Sequence, residues 1–172
     1  MSVILNQDIR DLIKTLDLSP HPEGGFFKET YRASGSISGP ALPSVFGTER
    51  AYATSILFLL PEGQKSRFHR LRQDEVWHFH LGGPLRLAMI SPSGQAGEIT
   101  LGPKINSGHL LQFAVPGGVW FAATPKAGSV FSLVGCTVAP GFDFTDFELA
   151  DEAEMKKHYP QHYGLISEFF QP

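Results

Sequence analysis

An all-β protein, a double-sheet jelly roll or small barrel with helices only at its ends, is what this chain predicts. Three observations carry the prediction. About eight short runs rich in aromatic and β-branched residues follow one another, separated by Gly, Pro, Ser or Asn. The 172 residues include 18 Gly, 13 Pro and 14 Phe, a mixture suited to many tight turns with aromatic filling. Apolar residues recur at helical spacing only near the two termini.

Taken in order, Ile9, Leu12, Ile13 and Leu16 define a helix over about residues 6–17, with Asn6 or Asp8 placed to cap it and "SPHPEGG" ending it. The strands are "GFFKETYR", "AYATSILFLL", "EVWHFHL", "LRLAMI", "GEITL", "HLLQFAVP", "VWFAAT" and "SVFSLVGCTV". Between the first two, "SGSISGPALPS" has no periodicity and predicts a mobile loop. From Phe147 the pattern changes: Glu148, Asp151, Glu152 and Glu154 precede Lys156, Lys157 and His158, an acidic-to-basic gradient that suits a helix dipole. A second helix is therefore expected over about 147–158, after a jelly roll of about 25–145. Leu165, Ile166 and Phe169 in "HYGLISEFF" are expected to pack on the barrel exterior or on a second copy. Neither a repeat nor a linker interrupts what reads as one domain, 1–172.

Composition narrows the function. A net charge of -3 provides no broad footprint for nucleic acid, and no apolar run approaches a membrane span. One cysteine, Cys136, forbids an internal disulfide and any CxxC site, and no leader is recognisable at the N-terminus, so a cytoplasmic setting is expected. Small-molecule work is the remaining class.

The richest stretch is "GQKSRFHRLRQDEVWHFHLG". Alternation places Glu75, Trp77 and Phe79 on one strand face and His78 and His80 on the other, and the aromatics claim the interior. His69 precedes the turn "RLRQD" and is expected to face Glu75 across two antiparallel strands. An inward His and Glu among aromatics fit two metal ligands, an imidazole made more basic by a carboxylate, or a buried hydrogen-bonded pair. Glu23, in "HPEGG", and Gln112, before a P-x-G turn, are further candidates for the pocket, with Trp77, Phe79 and Phe121 as its apolar walls. Trp120 has the opposite parity to Phe121. Asp143 and Asp146 in "PGFDFTDFELA" are expected to cap turns and the last helix, with Phe142, Phe144 and Phe147 covering the barrel edge.

The same stretch resembles the first motif of the cupin superfamily, G-x5-H-x-H-x3,4-E-x6-G: Gly63, His69, Glu75 and Gly82 are in register, with Leu71 at the second histidine position. The second motif, G-x5-P-x-G-x2-H-x3-N, keeps Pro116 and Gly118 but has Phe121 for its histidine and Pro125 for its asparagine. Over nearly its whole length the chain is similar to a cupin subgroup labelled predicted sugar epimerases, through "HPEGGFFKETYR", "SRFHRLRQDEVWHFHLGGPL", "LGP", "VPGGVWFAA" and "GCTVAPGFDFTDFELA".

That resemblance implies a cupin double-stranded β-helix and chemistry like that of the metal-free deoxysugar-nucleotide epimerases. His69 would be the base, Glu75 or Asp74 would orient its other nitrogen, and Tyr31 would be the acid. Arg32 or Lys28 would steady an enolate or a phosphate. No tightly bound cofactor is expected, with a weak divalent metal at His69 and Glu75 as the alternative. The expected partners are a small ligand such as a sugar or sugar nucleotide and a second copy in a homodimer, exchanged through "GFFKETYR". A non-catalytic ligand-binding cupin is the competing class, and a weakly metal-dependent oxygenase is third.

Overall fold

A computed structural model describes residues 7–171. In chain order its strands are β1 (Ser19–Pro20), β2 (Phe26–Arg32), β3 (Ser36–Ile37), β4 (Arg50–Ala51), β5 (Thr54–Pro61), β6 (Ser66–Leu71), β7 (Asp74–Gly82), β8 (Leu85–Ile90), β9 (Ala96–Leu101), β10 (Gln112–Val115), β11 (Trp120–Pro125), β12 (Phe131–Ala139) and β13 (Phe147–Leu149). Helix α1 is Gln7–Thr15, α2 is Glu152–His158 and α3 is Tyr163–Phe170. Two antiparallel sheets, ordered β1-β2-β5-β12-β7-β10 and β13-β6-β11-β8-β9, face each other as a jelly roll; β3 and β4 pair separately.

Period-two alternation sorts the apolar residues into three packed layers. Phe58, Trp77, Leu85, Leu87, Phe121 and Val134 fill the space between the sheets. Their outward neighbours are buried as well: Ala88, Ile90, Trp120 and Ala122 lie under Met155, Ile166 and Phe169 of α2 and α3. On the other sheet, Leu59 and Leu133 lie under Ile9 of α1, with Leu12, Ile13 and Leu16 packed alongside. The parity of Trp120 and Phe121 is thus as the sequence implies, and the last helix covers the barrel exterior.

Several boundaries move. The candidate cap Asn6 lies outside the described residues. Helix α1 stops where Asp17 takes a left-handed conformation, φ 54°, and Leu18 N–H returns to the Ile13 carbonyl at 2.9 Å. The tail helix is shorter than its charge gradient suggests. Phe147–Leu149 pairs with β6 instead, and Asp151 accepts the Glu154 N–H at 3.0 Å as the cap of α2. Asp151→Ala is expected to cost about 1 kcal/mol, measured by chemical denaturation; an unchanged midpoint would argue that α2 is held by Met155 packing alone.

Strand β6 is not among the eight aromatic and β-branched runs, since "SRFHRL" is half basic and polar, although the expected pairing of His69 with Glu75 implied a strand there. Its pattern makes sense only in three dimensions: Phe68 points out under α3, and His69 points into the barrel. The loop between β2 and β5 likewise carries structure, the β3–β4 pair and two short 3-10 turns.

Candidate functional site

A cavity of about 250 Å³ opens between the sheets. Its floor holds His21, Glu23, His69, Glu75 and Cys136; Phe27, Phe58, Trp77, Phe142, Phe144 and Phe147 form its aromatic walls; Glu29, Arg32 and Asp143 stand on its lining as well.

Glu23 reaches the floor because the "HPEGG" loop tucks against the start of β6. Gly24 sits at φ 118°, and a Cβ there would lie 2.1 Å from the Lys65 carbonyl oxygen, so a side chain is excluded at that approach. Glu23 carbonyl accepts from Arg67 N–H at 2.9 Å, and the Glu23 carboxylate accepts from Ser66 Oγ at 2.8 Å. The other carboxyl oxygen is 3.1 Å from His69 Nε2 and 3.4 Å from His21 Nδ1.

This corrects the expected His69–Glu75 cross-strand pair. Strand β6 pairs with β11 and β13, whereas β7 pairs with β12 and β10, so the turn between them carries the chain from one sheet to the other. Neither Glu75 nor Asp74 orients the second imidazole nitrogen. His69 Nδ1 lies 2.8 Å from the Arg67 carbonyl, which can only accept, so Nδ1 bears hydrogen and Nε2 of the neutral ring offers a lone pair to Glu23. Asp74 is engaged elsewhere, accepting the Gly117 N–H at 2.8 Å and so pinning the P-x-G turn.

The electrostatics agree with that tautomer. Burial first, and then the nearby Glu75 carboxylate, hold Glu23 well above its ordinary value, which favours a neutral acid able to donate to Nε2. Burial pushes His69 down to about 3 and His21 down to about 4. His21 Nδ1 accepts the Glu23 backbone N–H at 3.3 Å, which leaves its own proton on Nε2. Burial lifts Glu75 to about 7 although its carboxylate accepts from the Trp77 indole N–H at 3.0 Å.

These shifts have a sign in stability. Glu75 contributes stability that is complete below its ordinary value of 4.5 and is lost as pH rises through about 7, with Glu23 adding to the same limb. The two histidines act oppositely: their contribution is complete above 6.5 and is lost as pH falls through about 4 and 3. Between about pH 4.5 and 7, thermal melts of Glu75→Gln are therefore expected to decline less steeply with rising pH than those of wild type. Parallel curves for the two proteins would refute a buried, proton-holding Glu75.

Other anticipated residues lie off the cavity. Tyr31 and Arg32 are neighbours on β2, but the register with β5 shifts between Glu29 and Tyr31. That bulge turns Arg32 to the cavity and leaves Tyr31 outside, 55% exposed. Gln112 is exposed on the edge strand β10, opposite His78. Phe79 packs against the interior core without lining the cavity, and Phe121 stands behind His69, ring centroids 4.1 Å apart. Lys28 is paired with Asp17 at 3.0 Å. His21 was missed outright; its one signal was a histidine two residues before Glu23 in the same Pro-Gly turn.

Asp143 caps a turn as expected, accepting Thr145 N–H at 2.8 Å. Asp146 does not. It is buried and receives Arg50 through two contacts of 2.7 Å and Gln73 at 2.7 Å, fastening the segment that presents Phe142, Phe144 and Phe147 to the cavity.

A family model described as cupin superfamily (DUF985) matches residues 10–150. The chain belongs to this cupin family. Uncharacterized protein YML079W of Saccharomyces cerevisiae is 30% identical over 159 residues, 87% of this cupin and 79% of the yeast protein. Among solved structures, protein SO0799 from Shewanella oneidensis matches with a TM-score of 0.84 and 41% identity, covering 98% of this chain and 99% of that one. A hypothetical protein from Leishmania major also has a TM-score of 0.84, at 35% identity over 93% of this chain and 97% of that one.

Cupins often hold a metal, and the donor set here bears on whether this one can. At the motif positions only His69 and Glu75 carry donors, since Leu71 and Phe121 are apolar. His69 is directed to Glu23 and to a backbone carbonyl, His21 Nδ1 faces a backbone amide, and Glu75 faces an indole. Among the described residues no three His, Cys, Asp or Glu are grouped to hold a metal ion. As arranged, the residues do not fit one. Among the described residues no helix is long and apolar enough to cross a membrane.

Proposed function

We propose that this cupin is an isomerase or epimerase that moves a proton on a small carbohydrate derivative. The observation that carries the reading is the buried His69–Glu23 contact at 3.1 Å, its tautomer set by the Arg67 carbonyl, beside a second carboxyl held to about 7. Such chemistry needs a base and an acid flanking a carbon acidified by a carbonyl. Glu75 supports the role of base, since a group titrating near neutrality is half ionised where the enzyme would work. The Glu23–His69 pair supports the role of acid: Glu23 donates its proton to the forming enolate oxygen and takes it back as the enol collapses, while the His69 Nε2 lone pair holds the protonated carboxyl in place between turnovers. Trp77 and the surrounding phenylalanines exclude water and provide faces for the C–H surfaces of a sugar ring.

The reading extends to a homodimer in the cytoplasm. In its support, β1 covers only Phe26 and Phe27 of β2, so the far half of that strand keeps an open edge suited to a second copy.

The test is proton exchange. A panel of small aldoses, ketoses and their derivatives incubated with the protein in D2O is expected to show deuterium entering beside the carbonyl, followed by NMR. Exchange no faster than in buffer, for ligands shown to bind, would replace this reading with that of a non-catalytic binding protein.

A further inference from the structure

The chemistry of the cavity says more about its ligand than size alone. Two carboxyl groups, Glu23 and Glu75, lie on the floor at 5% and 7% exposure, and no lysine or arginine accompanies them there. The one cationic side chain on the lining, among the described residues, is Arg32. It is committed to Glu29 by two hydrogen bonds of 2.9 and 2.7 Å and to the Phe142 carbonyl at 3.2 Å. Asp143 adds a further negative charge to the same lining. Acceptor oxygens therefore outnumber free donors, in a space walled by six aromatic rings whose faces attract a cation. A phosphate or diphosphate would meet carboxylates and no available cation. At about 250 Å³ the cavity also falls just short of the ~300–1,000 Å³ that drug-sized ligands occupy, which leaves a nucleotide outside.

We propose that the ligand of this cavity is an unphosphorylated, amine-bearing compound of monosaccharide size, its ammonium group held between the Glu23 and Glu75 carboxyls and the aromatic walls. The proposal rests on the functional reading above in taking the same cavity as the site, and it names the class of substrate. The ammonium group would donate to carboxyl oxygens of both residues, and its charge would favour the ionised form of Glu75.

Calorimetric titration of the wild-type protein with matched compounds tests it: glucosamine against glucose and glucose 6-phosphate, and cyclohexylamine against cyclohexanol. An amine is expected to bind at least about tenfold more tightly than its neutral twin, with the phosphate ester weakest. Glu75→Gln is expected to shrink that advantage, the melting curve serving to confirm its fold. If no amine binds better than its neutral twin, or the phosphate ester binds best, the proposal fails. The two readings fail separately. An amine preference without deuterium exchange keeps the cation site and removes the proton transfer. Exchange on neutral sugars without an amine preference does the reverse.

Discussion

Asp146→Ala is expected to destabilise the protein by about 3–5 kcal/mol, a fall in Tm of about 6–20 °C for a chain of this size. The carboxylate accepts from Arg50 Nε and Nη2 at 2.7 Å each and from Gln73 Nε2 at 2.7 Å, with Arg72 at 3.3 Å. Arg50 is 3% exposed, so deleting its partner leaves a guanidinium in the interior without a directly bonded counter-charge. Its remaining hydrogen bonds, to the Phe46, Thr48 and Glu49 carbonyls and the Thr48 and Thr145 hydroxyls, satisfy hydrogens but not charge. The exposed Arg70–Glu148 pair, at 2.7 Å, provides the comparison: Glu148→Ala is expected to cost no more than about 1 kcal/mol. Urea unfolding of both variants decides. Equal losses would mean that the Asp146 network is incidental to the stability of the fold. Because Asp146 ends the turn that carries Phe144 and precedes Phe147, the same variant is also expected to weaken ligand binding.

His69→Ala is expected to lower deuterium exchange by about 10²–10⁴-fold, the range for removing a positioned acid or base. The loss has two parts. Glu23 keeps its bond from Ser66 and the 3.4 Å approach of His21 Nδ1 but loses its 3.1 Å contact with His69 Nε2. The aromatic wall also opens where His69 had stood against Phe121 and Phe147. Glu75→Gln is expected to fall in the same range and, unlike a merely structural change, to remove the limb of the pH profile near 7. Tyr31→Phe is the discriminating control. Its hydroxyl stands on an exposed side chain outside the cavity lining, and exchange should be unchanged. If Tyr31→Phe abolished exchange while His69→Ala did not, the acid assigned by family resemblance would be right and the Glu23–His69 pair wrong.

How much of this was legible follows from the range of each physical rule. Residues on one strand alternate with a period of two whatever they pack against, so the inward placement of Glu75 and Trp77 could be read directly, as could the opposite parities of Trp120 and Phe121. Turn glycines and prolines likewise mark where strands end. Failures arose where a rule needs information from elsewhere in the chain. A bulge resets alternation, and the one beside Thr30 turns Arg32 to the cavity and Tyr31 away from it, where both had been expected at the site. The mixed pattern of strand β6 became intelligible only in three dimensions, because its two faces answer to different partners, α3 outside and the cavity inside.

By itself, then, the amino-acid sequence determined the all-β class, the terminal helices and the cupin motif that places His69 and Glu75. These depend on local periodicity, turn chemistry and spacing along one segment. Only the tertiary structure decided that His69 and Glu75 belong to opposite sheets and that Glu23, from a loop 46 positions before His69, is the group His69 meets. It also decided that Arg32 is already paired and that Asp146 is a buried anchor rather than a cap. The reason is physical: which polar groups share a desolvated space depends on how two sheets close over each other, and closure is a property of the whole chain.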